Sequence, residues 1–193
     1  MSLQVVLGFD VSASMQTADE PGVTRIGKAK ELARYVIIEA CKIDPNGPDA
    51  LTFGQRVTDL GSVSVEQATD ILGSVVANEY ATNFGAFLAE AFIKAKEYIG
   101  QGDEALILAF TDGAASDRER VEREIIDAAN GIEQDSHLAL EIVYFGDEAK
   151  GYLADLDDSL QDKGAKFDIV DATPIDEAIA LDVEALLNKA FND

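Results

Sequence analysis

Leu3-Gln4-Val5-Val6-Leu7-Gly8-Phe9, followed at once by Asp10-Val11-Ser12-Ala13-Ser14-Met15, is the stretch on which the reading of this chain turns. Its first half is almost unbroken apolar sequence, the composition of a strand covered by helices on both faces of a parallel sheet. Its second half begins with a carboxylate and then offers two hydroxyls at alternate positions. Three more segments, Ala105–Phe110, Leu138–Phe145 and Ala165–Val170, read as buried strands of the same kind. Two weaker ones, Ala50–Phe53 and Arg56–Leu60, flank Gly54-Gln55 and read as a hairpin near a sheet edge.

Helical patterns lie between the strands. Arg25–Ile43 carries Ile26, Ala29, Ala33, Val36, Ile37, Ala40 and Ile43 on one stripe and stops at Asp44-Pro45-Asn46-Gly47-Pro48. Ser64-Val65-Glu66-Gln67 and Ser116-Asp117-Arg118-Glu119 have capping-box spacing, before helices that run to about Val76 and Asn130. Phe84–Ile99 and Ala149–Leu160 read as helices, and Thr173-Pro174 opens a last helix to about Phe191. The alternation predicts an α/β chain: a single doubly wound, Rossmann-like domain over residues 1–193, with a mostly parallel six-stranded sheet, one antiparallel edge strand and helices on both faces. In the strand order 3-2-1-4-5-6, ligands sit where the winding reverses, outside the carboxyl ends of strands 1 and 4. The loops after Phe9 and Phe110 meet there, and aspartates stand near the start of both.

Asp10, Ser12 and Ser14 form a DxSxS motif, and Thr111-Asp112-Gly113 supplies a second carboxylate. Thr82, just ahead of a helix, can lean over the same crevice. DxSxS alone arises by chance about once in twenty chains of this size, so its placement at the switch point is what gives it weight. Oxygens from Asp10, Ser12, Ser14, Thr82 and Asp112, directly or through water, suit an octahedral Mg²⁺, with Mn²⁺ or Ca²⁺ as alternatives.

These residues, in this order, resemble the von Willebrand factor A-type domain and its metal-ion-dependent adhesion site. The resemblance spans essentially the whole chain. It implies that Ser12 and Ser14 coordinate Mg²⁺ directly, that Thr82 does so directly or through water, and that Asp10 and Asp112 act largely through water. It also implies that a partner protein's Asp or Glu completes the site, so that the function is metal-bridged binding and not catalysis. Two departures stand out: Ala13 occupies the usual glycine position, and Tyr80-Ala81 replaces the Gly-Gly often found before the threonine.

The rest of the sequence narrows the alternatives. With 15 Lys and Arg against 37 Asp and Glu, the net charge of −22 opposes nucleic acid and anionic membrane surfaces. A carboxylate-bearing partner therefore needs a basic rim around its acidic ligand. Cys41 has no second cysteine to pair with, and no secretory leader or bilayer-spanning run is read, so a cytoplasmic setting is expected. His137 reads as a residue at a strand start. Arg118, Arg120 and Arg123 read as surface pairs with Glu119, Glu122 and Glu124, and the acidic group around Asp155–Asp162 as a solvated face. An Mg²⁺-dependent phosphoryl-transfer enzyme of the haloacid-dehalogenase type remains the alternative, although Ser12 stands where its acid–base aspartate belongs.

Overall fold

A computed structural model describes residues 2–113 and 115–191. The elements are β1 (Leu3–Asp10), β2 (Ala18–Glu20), β3 (Val23–Thr24), α1 (Arg25–Ile43), β4 (Asp49–Phe53), β5 (Val57–Ser62), α2 (Ala68–Ser74), α3 (Phe84–Gly100), β6 (Glu104–Thr111), α4 (Arg118–Gly131), β7 (Leu138–Tyr144), α5 (Lys150–Asp158), β8 (Val170–Pro174), α6 (Ile175–Ala180) and α7 (Val183–Lys189). The main sheet has the order β5-β4-β1-β6-β7-β8. β4 and β5 pair antiparallel, and the other neighbours pair parallel. In terms of the six main strands this is 3-2-1-4-5-6, so β1 and β6 are adjacent at the reversal.

Alternation along the strands builds one core on each face. Val5, Leu7 and Phe9 of β1 join Leu106, Leu108 and Phe110 of β6 beneath α1, α2, α6 and α7. Val6, Ile107 and Ala109 face α3, α4 and α5. Phe9 and Phe110 stack at the carboxyl ends of their strands with ring centroids 5.5 Å apart, a firm floor for the loops that follow. On the other face Phe87 closes over β1, and a Cβ at Gly8 would lie 2.2 Å from its ring. Glycine is therefore required there by close approach.

Several boundaries differ from the sequence reading. The last strand is Val170–Pro174 and not Ala165–Val170, which falls mainly in the turn ahead of it. Its pattern, Val-Asp-Ala-Thr-Pro, hides two buried polar residues, Asp171 and Thr173, in what apolarity alone would not mark as a strand. The last helix is broken into α6 and α7 at Leu181-Asp182, and Pro174 rather than Thr173 is the residue at the N-cap. The small β2–β3 hairpin was not expected; its strands of three and two residues are too short to show a period. The capping box predicted at Ser116 does not form: Asp117 is the N-cap, and the Ser116 hydroxyl instead donates to the Thr82 carbonyl at 3.0 Å. At Ser64 half of the box is present, with the Gln67 side chain accepting from the Ser64 N–H at 3.2 Å.

Candidate metal centre

β1 delivers Asp10 fully buried at its last position, and the chain then enters a 3₁₀ turn over Ala13–Gln16. The Asp10 carboxylate is held at both oxygens. Oδ1 accepts the Ser12 backbone N–H at 2.8 Å, and Oδ2 accepts the Thr111 hydroxyl at 2.7 Å. Burial lifts its pKa to about 6 against these hydrogen bonds, which favour the charged form, and the charge of Asp112 lifts it further. The Ser12 and Ser14 hydroxyls lie 3.0 Å apart, Ser12 buried and Ser14 facing outward. Ala13 keeps a negative φ, as does every non-glycine residue described, so the methyl group in place of glycine is accommodated without strain.

The neighbouring strand ends in the same region. Gly113 has φ +73°, its N–H donates to the Thr111 hydroxyl at 3.0 Å, and the adjacent Asp112 is 4 % exposed. The third segment is stitched to both loops. Glu79 bridges Ser12 in parallel, with the Ala13 N–H donating to the Glu79 carbonyl at 2.7 Å. Thr82, itself buried, accepts at its carbonyl from the Ser116 N–H at 3.0 Å. Asn83 and not Thr82 stands at the α3 N-cap, so the threonine is not serving as the cap. Tyr80, one of the two residues replacing Gly-Gly, projects 90 % exposed from this segment.

Sequence reasoning missed Arg25. Its guanidinium is nearly buried and holds Asp19 through Nε and Nη2 at 3.0 Å each, with Asp112 Oδ2 3.6 Å from Nη1 and Glu148 3.6 Å from Nη2. A signal was available: Arg25 is the first residue of α1, and the helix dipole disfavours a cation at that end unless something else holds it. Thr111 belongs to the motif, but nothing in the sequence marks its hydroxyl as a group acting on Asp10. Glu79 was also missed; its carboxylate accepts the backbone N–H groups of Gln55 and Arg56, which braces the β4–β5 turn beside the site.

The other candidates take minor places. His137 ends a 3₁₀ turn just before β7. Cys41 is a partly buried thiol directed at the Val63 carbonyl. Arg120 pairs with Glu124, and Arg118 lies over the Tyr152 ring. Among the described residues no three His, Cys, Asp or Glu side chains gather as a metal-binding group. The donor set at the β1 and β6 ends is of another kind, two buried carboxylates with a hydroxyl pair, and all of it is hard oxygen that fits Mg²⁺ or Mn²⁺. The haloacid-dehalogenase alternative finds no support: both oxygens of Asp10 are engaged, and Ser12 brings no second carboxyl group.

Sheet order, helix placement and the loops at the reversal define an α/β domain with the von Willebrand factor A-like fold. The solved structures similar to it include a serine-substituted aerotolerance-related membrane protein from Bacteroides fragilis, with a TM-score of 0.66 and 15 % identity over 98 % of each chain. A von Willebrand factor type A protein from Catenulispora acidiphila has a TM-score of 0.58 and 17 % identity, over 98 % of this chain and 41 % of that one. The manganese-loaded TRAP protein of Plasmodium vivax has a TM-score of 0.59 and 15 % identity, over 98 % of this chain and 73 % of that one. The chain thus spans less than half the length of the Catenulispora protein. No protein-family model matches the chain, and no curated protein matches it in sequence. Among the described residues no helix is long and apolar enough to cross a membrane.

Proposed function

We propose that this chain is a protein-binding module that uses a divalent cation, Mg²⁺ with Mn²⁺ or Ca²⁺ as alternatives, to capture an Asp or Glu of a partner. Ser12, Ser14 and Thr82 offer the hydroxyls, and Asp10 and Asp112 the carboxylates. The observation that carries the reading is the hydroxyl pair of Ser12 and Ser14, 3.0 Å apart, beside an Asp10 whose two oxygens are fixed by the Ser12 N–H and the Thr111 hydroxyl. The fold shared with a manganese-loaded protein supports a divalent ion.

Each residue's part follows from its placement. Asp10 is held by neutral donors that leave its negative charge intact. Thr111 fixes the rotamer of Asp10 while it fastens the Gly113 turn that carries Asp112. The bound ion would supply an electrophilic position for a partner carboxylate, which neutral hydroxyl ligands do not quench. The function proposed is binding without turnover. A partner approaching a chain of charge −22 needs Lys or Arg around its acidic ligand, and complex formation would weaken as salt rises. A cytoplasmic setting, from the single cysteine, belongs to the same proposal.

Calorimetric titration of the metal-stripped protein with Mg²⁺ and Mn²⁺ tests the site. Binding is expected in the wild type and not in Asp10→Ala/Ser12→Ala; equal binding by both would refute the assignment. Recovery of a partner in Mg²⁺ and its loss in EDTA tests the function.

A further inference from the structure

Arg25 is built into the candidate metal centre without belonging to its donor set. Three segments send a carboxylate to it: Asp19 from β2 of the β2–β3 hairpin, Asp112 from the loop after β6, and Glu148 from the loop after β7. The contacts are unequal. Nε and Nη2 grip Asp19 at hydrogen-bonding distance, whereas Nη1 reaches Asp112 only at 3.6 Å. Space is kept for the group as well: Gly146 has φ +73°, and a Cβ there would stand 2.7 Å from Nη2. The guanidinium is therefore anchored on the hairpin and extends its remaining charge toward a carboxylate of the site.

We propose that Arg25 is a tethered counter-cation of this site, which shares Asp112 with the divalent ion, lowers the site's affinity for that ion and ties it to the β2–β3 hairpin. The inference rests on the metal-binding reading above. In the metal-free protein a cation beside Asp112 offsets its repulsion with Asp10, a repulsion that otherwise opposes packing the two acids together. With an ion bound, the guanidinium and the ion would both draw on Asp112. In a mostly buried setting their repulsion lowers affinity by about tenfold or more. Asp19 tempers this by holding the guanidinium on the hairpin side. Removing Asp19 and removing Arg25 should thus act in opposite directions on the same site.

The test is Mn²⁺ titration calorimetry on the metal-stripped full chain at fixed ionic strength, with folding checked by circular dichroism. Arg25→Gln should bind Mn²⁺ about tenfold or more tighter than wild type. Arg25→Lys, which keeps the charge, should stay near the wild type, and Asp19→Asn should bind more weakly. In EDTA, Arg25→Gln should melt below the wild type and gain more on adding Mn²⁺. Equal or weaker binding by Arg25→Gln, or an Arg25→Lys as tight as Arg25→Gln, overturns the counter-cation role and leaves the site assignment standing. Absence of Mn²⁺ binding in both wild type and Arg25→Gln overturns the two together. If Arg25→Gln does not fold, the exposed-side variant decides, because unchanged or tighter binding in Asp19→Asn overturns the inference.

Discussion

Two pairs of buried carboxylates lie in neighbouring parts of this sheet, and they are built in opposite ways. Asp10 and Asp112 stand at the carboxyl ends of β1 and β6, where the chain leaves the sheet: Asp10 accepts from the Ser12 N–H and the Thr111 hydroxyl, and Asp112 has the Arg25 guanidinium of α1 as an ion-pair partner. Glu141 and Asp171 are register partners inside β7 and β8, beneath α7, where the strand backbone is committed to the sheet. Asp171 is paired with Lys189 from α7, but neither oxygen of Glu141 has a hydrogen-bond partner among the described residues. Burial, and then the charge of Asp171, push Glu141 up to about 8, whereas Asp10 with its donors rises only to about 6. At pH 7 one acid is mainly ionised and the other mainly neutral. A carboxylate available to a cation requires donors that replace water, and of these two acids Asp10 at its strand end has them while Glu141 inside its strand does not.

The largest consequence is a pH dependence that belongs to the Glu141 region. Its folded pKa of about 8 lies above the ordinary 4.5, so the folded state holds the proton more tightly. Stability from this group is fully present below pH 4.5 and is lost as pH rises through 8, by up to about 5 kcal/mol. The groups facing it are Asp171 and Thr173 from β8 and Lys189 from α7; Thr173 and then Lys189 moderate the loss by favouring the ionised form. Glu141→Gln removes the titration. Urea unfolding at a series of pH values should show the wild type losing stability relative to Glu141→Gln between pH 5 and 8. A constant difference between the two would show that Glu141 is ionised throughout and that the contrast between the two pairs is wrong.

A smaller effect probes the other pair. Thr111→Val preserves shape but removes the donor to Asp10 Oδ2 and the acceptor of the Gly113 N–H. Leaving both buried groups unpartnered should cost about 2 kcal/mol in thermal or urea unfolding. Divalent affinity should fall with it, because Asp10 and the turn carrying Asp112 lose their common fastening. If stability were unaffected, the donors at this end would not be what distinguishes Asp10 from Glu141.

The contrast also explains what could be read from the sequence. Strand 1, strand 4 and the loops after them were legible because apolar runs end abruptly in Asp10 and near Asp112, and the reversal of winding fixes their adjacency without any side-chain detail. Asp10, Ser12, Ser14 and Asp112 thus stand out as candidates from local pattern and strand order. Thr82 was placed by its position just ahead of a helix, in a segment with no strong period of its own, and the resemblance added the role of a ligand. Arg25 at the start of α1, Asp19 in β2 and Glu148 in the loop after β7 meet only through tertiary packing, and only the misplaced helix-dipole charge hinted at one of them. Val170–Pro174 was misread for the same reason that makes Glu141 unusual: polar residues inside these strands are satisfied, or left neutral, by partners distant in sequence.

The smallest expected change in stability is the most discriminating. Ser14 is exposed in the 3₁₀ turn, and its hydroxyl lies 3.0 Å from that of Ser12. Ser14→Ala should shift unfolding by no more than about 0.5 kcal/mol, as for a surface substitution away from the core. If Ser14 is a ligand, the same change should weaken Mn²⁺ binding by about tenfold, the order seen when a group supporting a metal is lost. Stability and binding should come apart at Ser14 in a way they cannot at Glu141, where no ligand waits and every effect acts through folding. Measuring both quantities on Ser14→Ala separates the alternatives: a loss of affinity at constant stability marks a binding hydroxyl, and unchanged affinity reduces the serine pair to a turn.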